Sequence, residues 1–190
     1  MKLINYLHQE IKLAKPLLEN VDKIFDYQEV KKGTVLFKEG SKSQQVFFFE
    51  KGLARMFYQK DGKDITHFFF SEDMFCLSTQ NIFLQERHFQ NIEILEDSIL
   101  RVANFEVIEN YLEIIPQINR LIFKEFSNYI QMLNHKIYGL QFQTAEERYL
   151  HLLTQHPKIL QRVSLGHIAS YLGITQQTLS VIRRETAKNK

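Results

Sequence analysis

Apolar residues recur at helical spacing near both ends of the chain and at strand spacing between them. From residue 2 to 24 they are Leu3, Ile4, Leu7 and Ile11, then Leu17, Leu18, Val21 and Ile24, with Pro16 between the two runs. A proline there separates one helix from the next, so the pattern predicts two short amphipathic helices. From Phe25 the period changes. The runs KGTVLFKEG, SQQVFFFEKG, LARMFYQKDG and KDITHFFF are rich in Val, Ile, Phe and Tyr and are punctuated by Gly33, Gly40, Gly52 and Gly62. They predict antiparallel strands with glycine turns, and the Asp-Gly pair of Lys60-Asp61-Gly62-Lys63 suits a hairpin with positive φ. Residues 78–86 predict a brief helix capped by Ser78, and strand-like runs return at 88–95 and 98–103 around the turn Glu96-Asp97-Ser98. About eight strands with one short helical insertion predict a closed or sandwiched β-roll. The chain has 16 phenylalanines, many at Phe47 to Phe49, Phe57, Phe68 to Phe70, Phe75, Phe83 and Phe89, and these are expected to fill the roll.

Beyond the strands the helical period returns. Residues 104–112 predict a short helix with Asn104 as N-cap, and Pro116 opens a long one at the first-turn position a proline tolerates. Along it Phe123, Phe126, Ile130, Leu133, Ile137 and Leu140 are spaced 3, 4, 3, 4 and 3 residues apart, the seam of a coiled coil. Ile118, Ile122, Tyr129 and Met132 form a second stripe on a neighbouring face. Two apolar faces need two partners. One is expected to rest on the chain's own roll and the other to meet the same helix of a second subunit; the alternative is a helix wholly buried in one monomer. Gly139 is expected to hinge the chain before an amphipathic helix from Phe142 to Gln155, opened by the reciprocal cap of Thr144 and Glu147 and ended by Pro157.

The stretch Leu165 to Ile182, LGHIASYLGITQQTLSVI, reads as two short helices joined by a tight turn. Ile168, Leu172, Ile174, Leu179 and Ile182 fall on inward faces, small Ala169 sits where the helices cross, and Gly173 supplies the positive φ of the turn. Ser164 and Thr175 are placed to cap the two helices and to donate to phosphates at the helix starts. That is the anatomy of a DNA-binding helix-turn-helix. Its second helix would present Gln176, Gln177, Thr178, Ser180, Val181 and Arg184 to the major groove, with Thr178 partly facing the first helix. Glutamine pairs bidentately with adenine and valine touches a thymine methyl, which leans the half-site toward A/T. Arg183, Arg184 and Lys188 are expected to meet phosphates.

Charge supports this placement. Net charge is only +2, yet residues 1–140 carry 17 Lys/Arg against 19 Asp/Glu, while residues 141–190 carry 7 against 3. The basic excess travels with the helix-turn-helix. The single cysteine, Cys76, excludes an intramolecular disulfide and any site built on several thiolates. A reducing cytoplasm is the expected location, because charges interrupt the apolar N-terminal run and no stretch reaches the roughly 20 apolar residues of a membrane span.

Taken together, a helical start, a glycine-punctuated roll, a long helix and a C-terminal helix-turn-helix, the chain resembles the Crp/Fnr family of bacterial transcription regulators over essentially its whole length. The best local matches are Gly33-x-x-Leu36-Phe37-x-x-Gly40, Val46-Phe47-Phe48 with Gly52-x-x-Arg55, and Ala169-x-x-x-Gly173-Ile174-Thr175. The resemblance implies an α+β fold in three parts: a cyclic-nucleotide-binding-like sensor roll over 1–115, a dimerisation helix over 116–140 and an all-α DNA-binding unit over 141–190. It also implies a homodimer on double-stranded DNA, with RNA polymerase as a further partner, and a small-molecule effector in the roll.

The chain departs from the cyclic-nucleotide members in one place. Their phosphate cassette pairs Gly-Glu, for the ribose hydroxyl, with Arg-Ser or Arg-Thr, for the cyclic phosphate. Here the first position reads Cys76-Leu77 after Phe75, and the second falls around Arg87-His88-Phe89. Leu77 accepts no hydrogen bond, so cyclic AMP and cyclic GMP are not expected; the candidate pocket residues are Arg55, Phe75, Cys76, Leu77, Arg87 and His88. Relatives often carry arginine where this chain has Val181, which puts the family's usual half-site in doubt. His67, Cys76 and His88 lack a haem-ligand spacing, and His151 and His156 are five apart, off a common helical face. No catalytic or metal site is expected. The rival reading is a sensor or scaffold dimer without specific DNA binding.

Overall fold

The computed structural model describes residues 1–188. Two N-terminal helices, α1 (Leu3–Glu10) and α2 (Lys15–Lys23), precede eight strands, and Pro16 sits in the first turn of α2. The strands are β1 (Asp26–Val30), β2 (Val35–Phe37), β3 (Gln45–Lys51), β4 (Ala54–Lys60), β5 (Lys63–Phe70), β6 (Phe75–Leu77), β7 (Asn91–Ile94) and β8 (Ser98–Asn104). They form two four-stranded antiparallel sheets, ordered β1-β8-β3-β6 and β2-β7-β4-β5. Asp61 and Gly62 turn β4 into β5 with φ of 52° and 71°, as the Asp-Gly pair predicts. A short helix, α3 (Thr79–Phe83), lies between β6 and β7, with the Ser78 hydroxyl accepting from Asn81 N–H. After the roll come α4 (Phe105–Leu112), the long α5 (Pro116–Phe142), α6 (Ala145–Gln155), α7 (Ile159–Arg162), α8 (Leu165–Leu172) and α9 (Gln176–Lys188).

The phenylalanine triplets do not all fill the roll. On β3, Phe47 and Phe49 point into its interior with Phe37, Phe68, Phe70 and Cys76. Phe48 and Val46 point the other way, into a layer built from α1, α2, α4 and α5. On β5 the alternation is the same: Phe68 and Phe70 face inward, whereas Phe69 faces the C-terminal helices. Each triplet is a strand covered on both faces, which is why neither shows polar alternation. Phe83 and Phe89 are exposed.

Helix α5 runs through Gly139 without a hinge and ends at Phe142, where Gln143 turns extended. Gly139 is buried because Arg148 packs on it and donates to the carbonyls of Gly139, Gln143 and Leu172. A Cβ there would lie 3.0 Å from the Gln143 side-chain oxygen and 3.6 Å, an ordinary contact, from Arg148. Thr144 and Glu147 form the expected capping box at the start of α6.

The C-terminal helices and the roll share one core. Leu53, Phe69 and Leu95 of the roll pack with Tyr149, Leu152, Ile159, Ile168, Leu172 and Leu179. Arg162 at the end of α7 reaches both Glu72 (2.7 and 3.0 Å) and Glu96 (2.6 and 3.1 Å). β5 is an edge strand, and Ser170 of α8 serves its free edge, accepting from Thr66 N–H at 2.9 Å and donating to the Asp64 carbonyl at 3.1 Å.

Candidate DNA-reading surface and effector cavity

The helix-turn-helix is built by capping at both starts and a left-handed glycine between. Ser164 accepts from His167 N–H (3.3 Å), Gly173 has φ of 69°, and Thr175 accepts from Thr178 N–H (3.1 Å). Ile168, Ala169, Leu172, Leu179 and Ile182 are buried between the helices. On the outer face Gln176, Gln177, Thr178, Ser180, Val181 and Arg184 are exposed, and Arg183 is half-buried. Several of these are already engaged. The Thr178 and Thr175 hydroxyls bond each other at 2.9 Å, Ser180 donates to the Gln176 carbonyl, and the Gln176 amide lies over Gly166. Gln177, Val181 and Arg184 remain open on one stripe at i, i+4 and i+7. No acidic residue lies in the first turn of α9. The Lys188 side chain falls outside the described residues.

On α5 the two stripes face different ways. Ile118 is buried, and Tyr129 meets Phe68 edge-on at 5.7 Å, so this side rests on the roll. The seam side is open: Phe123, Ile130, Ile137 and Leu140 are 70%, 56%, 53% and 51% exposed. Phe126 and Leu133 are half-buried, Phe126 against Phe83 at 5.5 Å.

Between the roll and helices α1 to α5 lies a cavity of about 540 Å³. Of the six pocket candidates it brings together Phe75, Leu77 and His88. The other three are turned elsewhere. Arg55 is buried on β4 with its guanidinium committed to Asp64 (2.7 Å), Glu93 (3.0 Å) and the Phe57 ring. Arg87 is exposed and donates to the Gly40 carbonyl at 2.7 Å. Cys76 is sealed in the roll core, where desolvation pushes its thiol far up and removes any thiolate reactivity.

Residues that the sequence did not assign to a pocket also line the wall, among them Met56, Phe70, Gln90, Phe126, Tyr129 and Met132. The Tyr129 and Met132 stripe was legible as a face needing a partner, though not as a cavity wall. His88 is 2% exposed, and its Nδ1 lies 2.9 Å from the Ser78 hydroxyl. Desolvation lowers its pKa and keeps the ring neutral, while Nε2 is buried with no partner.

A β-roll of two antiparallel sheets is thus followed by a long helix with an exposed apolar seam and a capped helix-turn-helix. Residues 27–114 match the cyclic nucleotide-binding domain family. The chain is 24% identical over 182 residues to the regulatory protein HlyX of Actinobacillus pleuropneumoniae, covering 88% of this chain and 75% of that protein. Its fold is shared with FixK2 from Bradyrhizobium japonicum (TM-score 0.77, 18% identity, 87% of this chain and 86% of the other). It is shared also with a Crp/Fnr-family transcriptional regulator from Eubacterium rectale (TM-score 0.71, 17% identity, 97% and 88%). In fold and order of parts, the chain is similar to these regulators. No described helix is long and apolar enough to cross a membrane.

Proposed function

We propose that the protein is a homodimeric transcription regulator that works in the cytoplasm and reads a two-fold symmetric DNA site through α9. The observation that carries this reading is the outer face of α9: capped, exposed, free of carboxylates from Gln176 to Arg184, and open at Gln177, Val181 and Arg184. Gln177 and Val181 read base edges, Arg183, Arg184 and Lys188 meet phosphates, and Ser164 and Thr175 offer their hydroxyl hydrogens to phosphates at the helix starts. The free seam on α5 supports pairing with a second copy, which supplies the second half-site. In this division of labour 1–115 senses, 116–140 pairs and 141–190 binds DNA; RNA polymerase is the partner that activation would require. The roll does not take cyclic AMP or cyclic GMP, since neither Arg55 nor Arg87 faces the cavity and Leu77 stands where a ribose-binding carboxylate is needed.

Selection from a random DNA pool tests the reading. A two-fold symmetric motif with half-sites about 34 Å apart is expected; a pool that stays unenriched at low salt refutes it.

A further inference from the structure

A second, smaller cavity lies where the C-terminal half of α5 meets α6 and α8 beside β5. Its volume is about 100 Å³, well below that of a pocket for a drug-sized molecule and close to the space of roughly three waters. Its polar lining is of one kind. Lys136 and His135 come from α5, Arg148 and His151 from α6, and Gln143 and Gln155 add carboxamides. All of these groups can donate hydrogen bonds, and among the described residues no Asp or Glu lines the cavity.

Neither cation has a counter-ion. Lys136 lies over the Tyr171 ring at 4.5 Å and donates to the His67 carbonyl. Arg148 donates through Nε and Nη1 to the carbonyls of Leu172, Gly139 and Gln143. Tyr171, Leu172, Gly139 and Gln143 all border the cavity, so both head groups sit at its wall. Carbonyls accept hydrogen bonds but carry no net charge, and among the described residues neither cation forms an ion pair. Desolvation lowers Lys136 to about 8, which leaves it mostly charged at pH 7. A half-buried charge without a counter-ion is costly, and an anion relieves that cost. Arg148 belongs to the basic excess of residues 141–190, yet it packs between α5 and α8 rather than on the outer face of α9.

The same groups argue against a metal. The His135 and His151 rings lie 6.1 Å apart, but among the described residues no third His, Cys, Asp or Glu joins them in a metal-holding cluster. An ammonium and a guanidinium in the same cavity also repel a divalent cation.

We propose that this cavity binds a small tetrahedral oxyanion, of the size of inorganic phosphate or sulfate, at Lys136 and Arg148. Donors from α5, α6 and the segment between them suit an ion with four acceptor oxygens, and the volume excludes a nucleotide. The ion ties α5 to α6 as a shared counter-ion beneath α8, the first helix of the helix-turn-helix.

Thermal melts of the full chain at pH 7 and fixed ionic strength test the proposal, with phosphate or sulfate replacing chloride. Tm is expected to rise saturably, by a few degrees at about 20 mM of either oxyanion. Lys136→Met is expected to lose this gain. Arg184→Ala, on the outer face of α9, is expected to keep it, which separates the cavity from phosphate binding on the DNA-reading helix. If chloride protects as well as the oxyanions, if Lys136→Met keeps the full gain, or if the gain vanishes in Arg184→Ala, the proposal is wrong. A separate titration with Zn²⁺ that raises Tm in the wild type and not in His135→Ala would overturn it in favour of a metal.

Discussion

Ile130→Asp tests the pairing surface at its centre. Ile130 is 56% exposed in the single chain and belongs to none of its buried clusters, so its apolar surface contributes to association rather than to folding. Full burial of such a side chain stabilises by about 1.5–3 kcal/mol; with roughly half its surface still to hide, each copy contributes about 1–1.5 kcal/mol and the two-fold interface about 2–3 kcal/mol. Placing two carboxylates across the seam adds desolvation and repulsion of similar size, for about 5 kcal/mol in all. That corresponds to a dimer weaker by about three to four orders of magnitude. Sedimentation equilibrium across a dilution series reads the change, and the exposed Asn134→Asp, which flanks the seam beside Leu133, serves as a control that adds the same charge without removing a seam side chain. Monomer secondary structure by circular dichroism is expected to be unchanged. A dissociation constant within tenfold of wild type, or equal loss in the Asn134 control, would refute the assignment of the seam.

Three further outcomes are expected. Gln177→Ala should weaken binding to the selected site by about 10- to 100-fold, as loss of a bidentate base contact does, with little change on random DNA in gel shifts; equal loss on both sinks its base-reading role. Arg162→Met should lower Tm at pH 7 and lose that effect in acid. Desolvation raises the Glu72 pKa, but Arg162 outweighs it and the folded value lies below the ordinary 4.5. The stabilisation is therefore present above that value and fades as pH falls through the folded one, so the two melting curves should converge once the pH lies below the folded value. Lys136 works in the opposite sense: buried against Tyr171, with its ammonium bonded to the His67 carbonyl, it is held down by desolvation to about 8 from 10.5. A base with a depressed folded pKa penalises folding once charged, fully below the folded value and not at all above the unfolded one. Lys136→Met should raise Tm by a few degrees at pH 7, net of the lost bond, with no gain near pH 11.

Much of this fold is legible in local chemistry. Ser78, Asn104, Thr144, Ser164 and Thr175 sit where short polar side chains must take orphan N–H groups, and each accepts one in the structure. Asp61-Gly62 and Gly173 mark turns for the same local reason. Which partner covers each face of a strand is less legible. A run such as Phe68-Phe69-Phe70 announces burial on both sides of a strand, but its pattern contains nothing to say that one side is the roll and the other a helix-turn-helix. Arg55 reads as a pocket candidate and is a structural ion-pair hub because Asp64 and Glu93 arrive from neighbouring strands. Gly139 reads as a hinge, yet α5 continues through it, with its carbonyl accepting from Arg148. Helix α7 is a single turn of four residues, too short to leave a period. The cavity was the least legible part of all, since its wall is drawn from elements distant in the chain.

The core shared between roll and C-terminal helices bears on how the protein comes apart. A segment cut at residue 141 would keep its helices but lose Leu53, Phe69 and Leu95 from its interior, along with the Glu72 and Glu96 anchors of Arg162. Recognition unit and sensor are consequently one cooperative body, expected to melt in a single calorimetric transition whose van't Hoff and measured enthalpies agree. The border between the proposed sensing and reading functions is not a border between folding units.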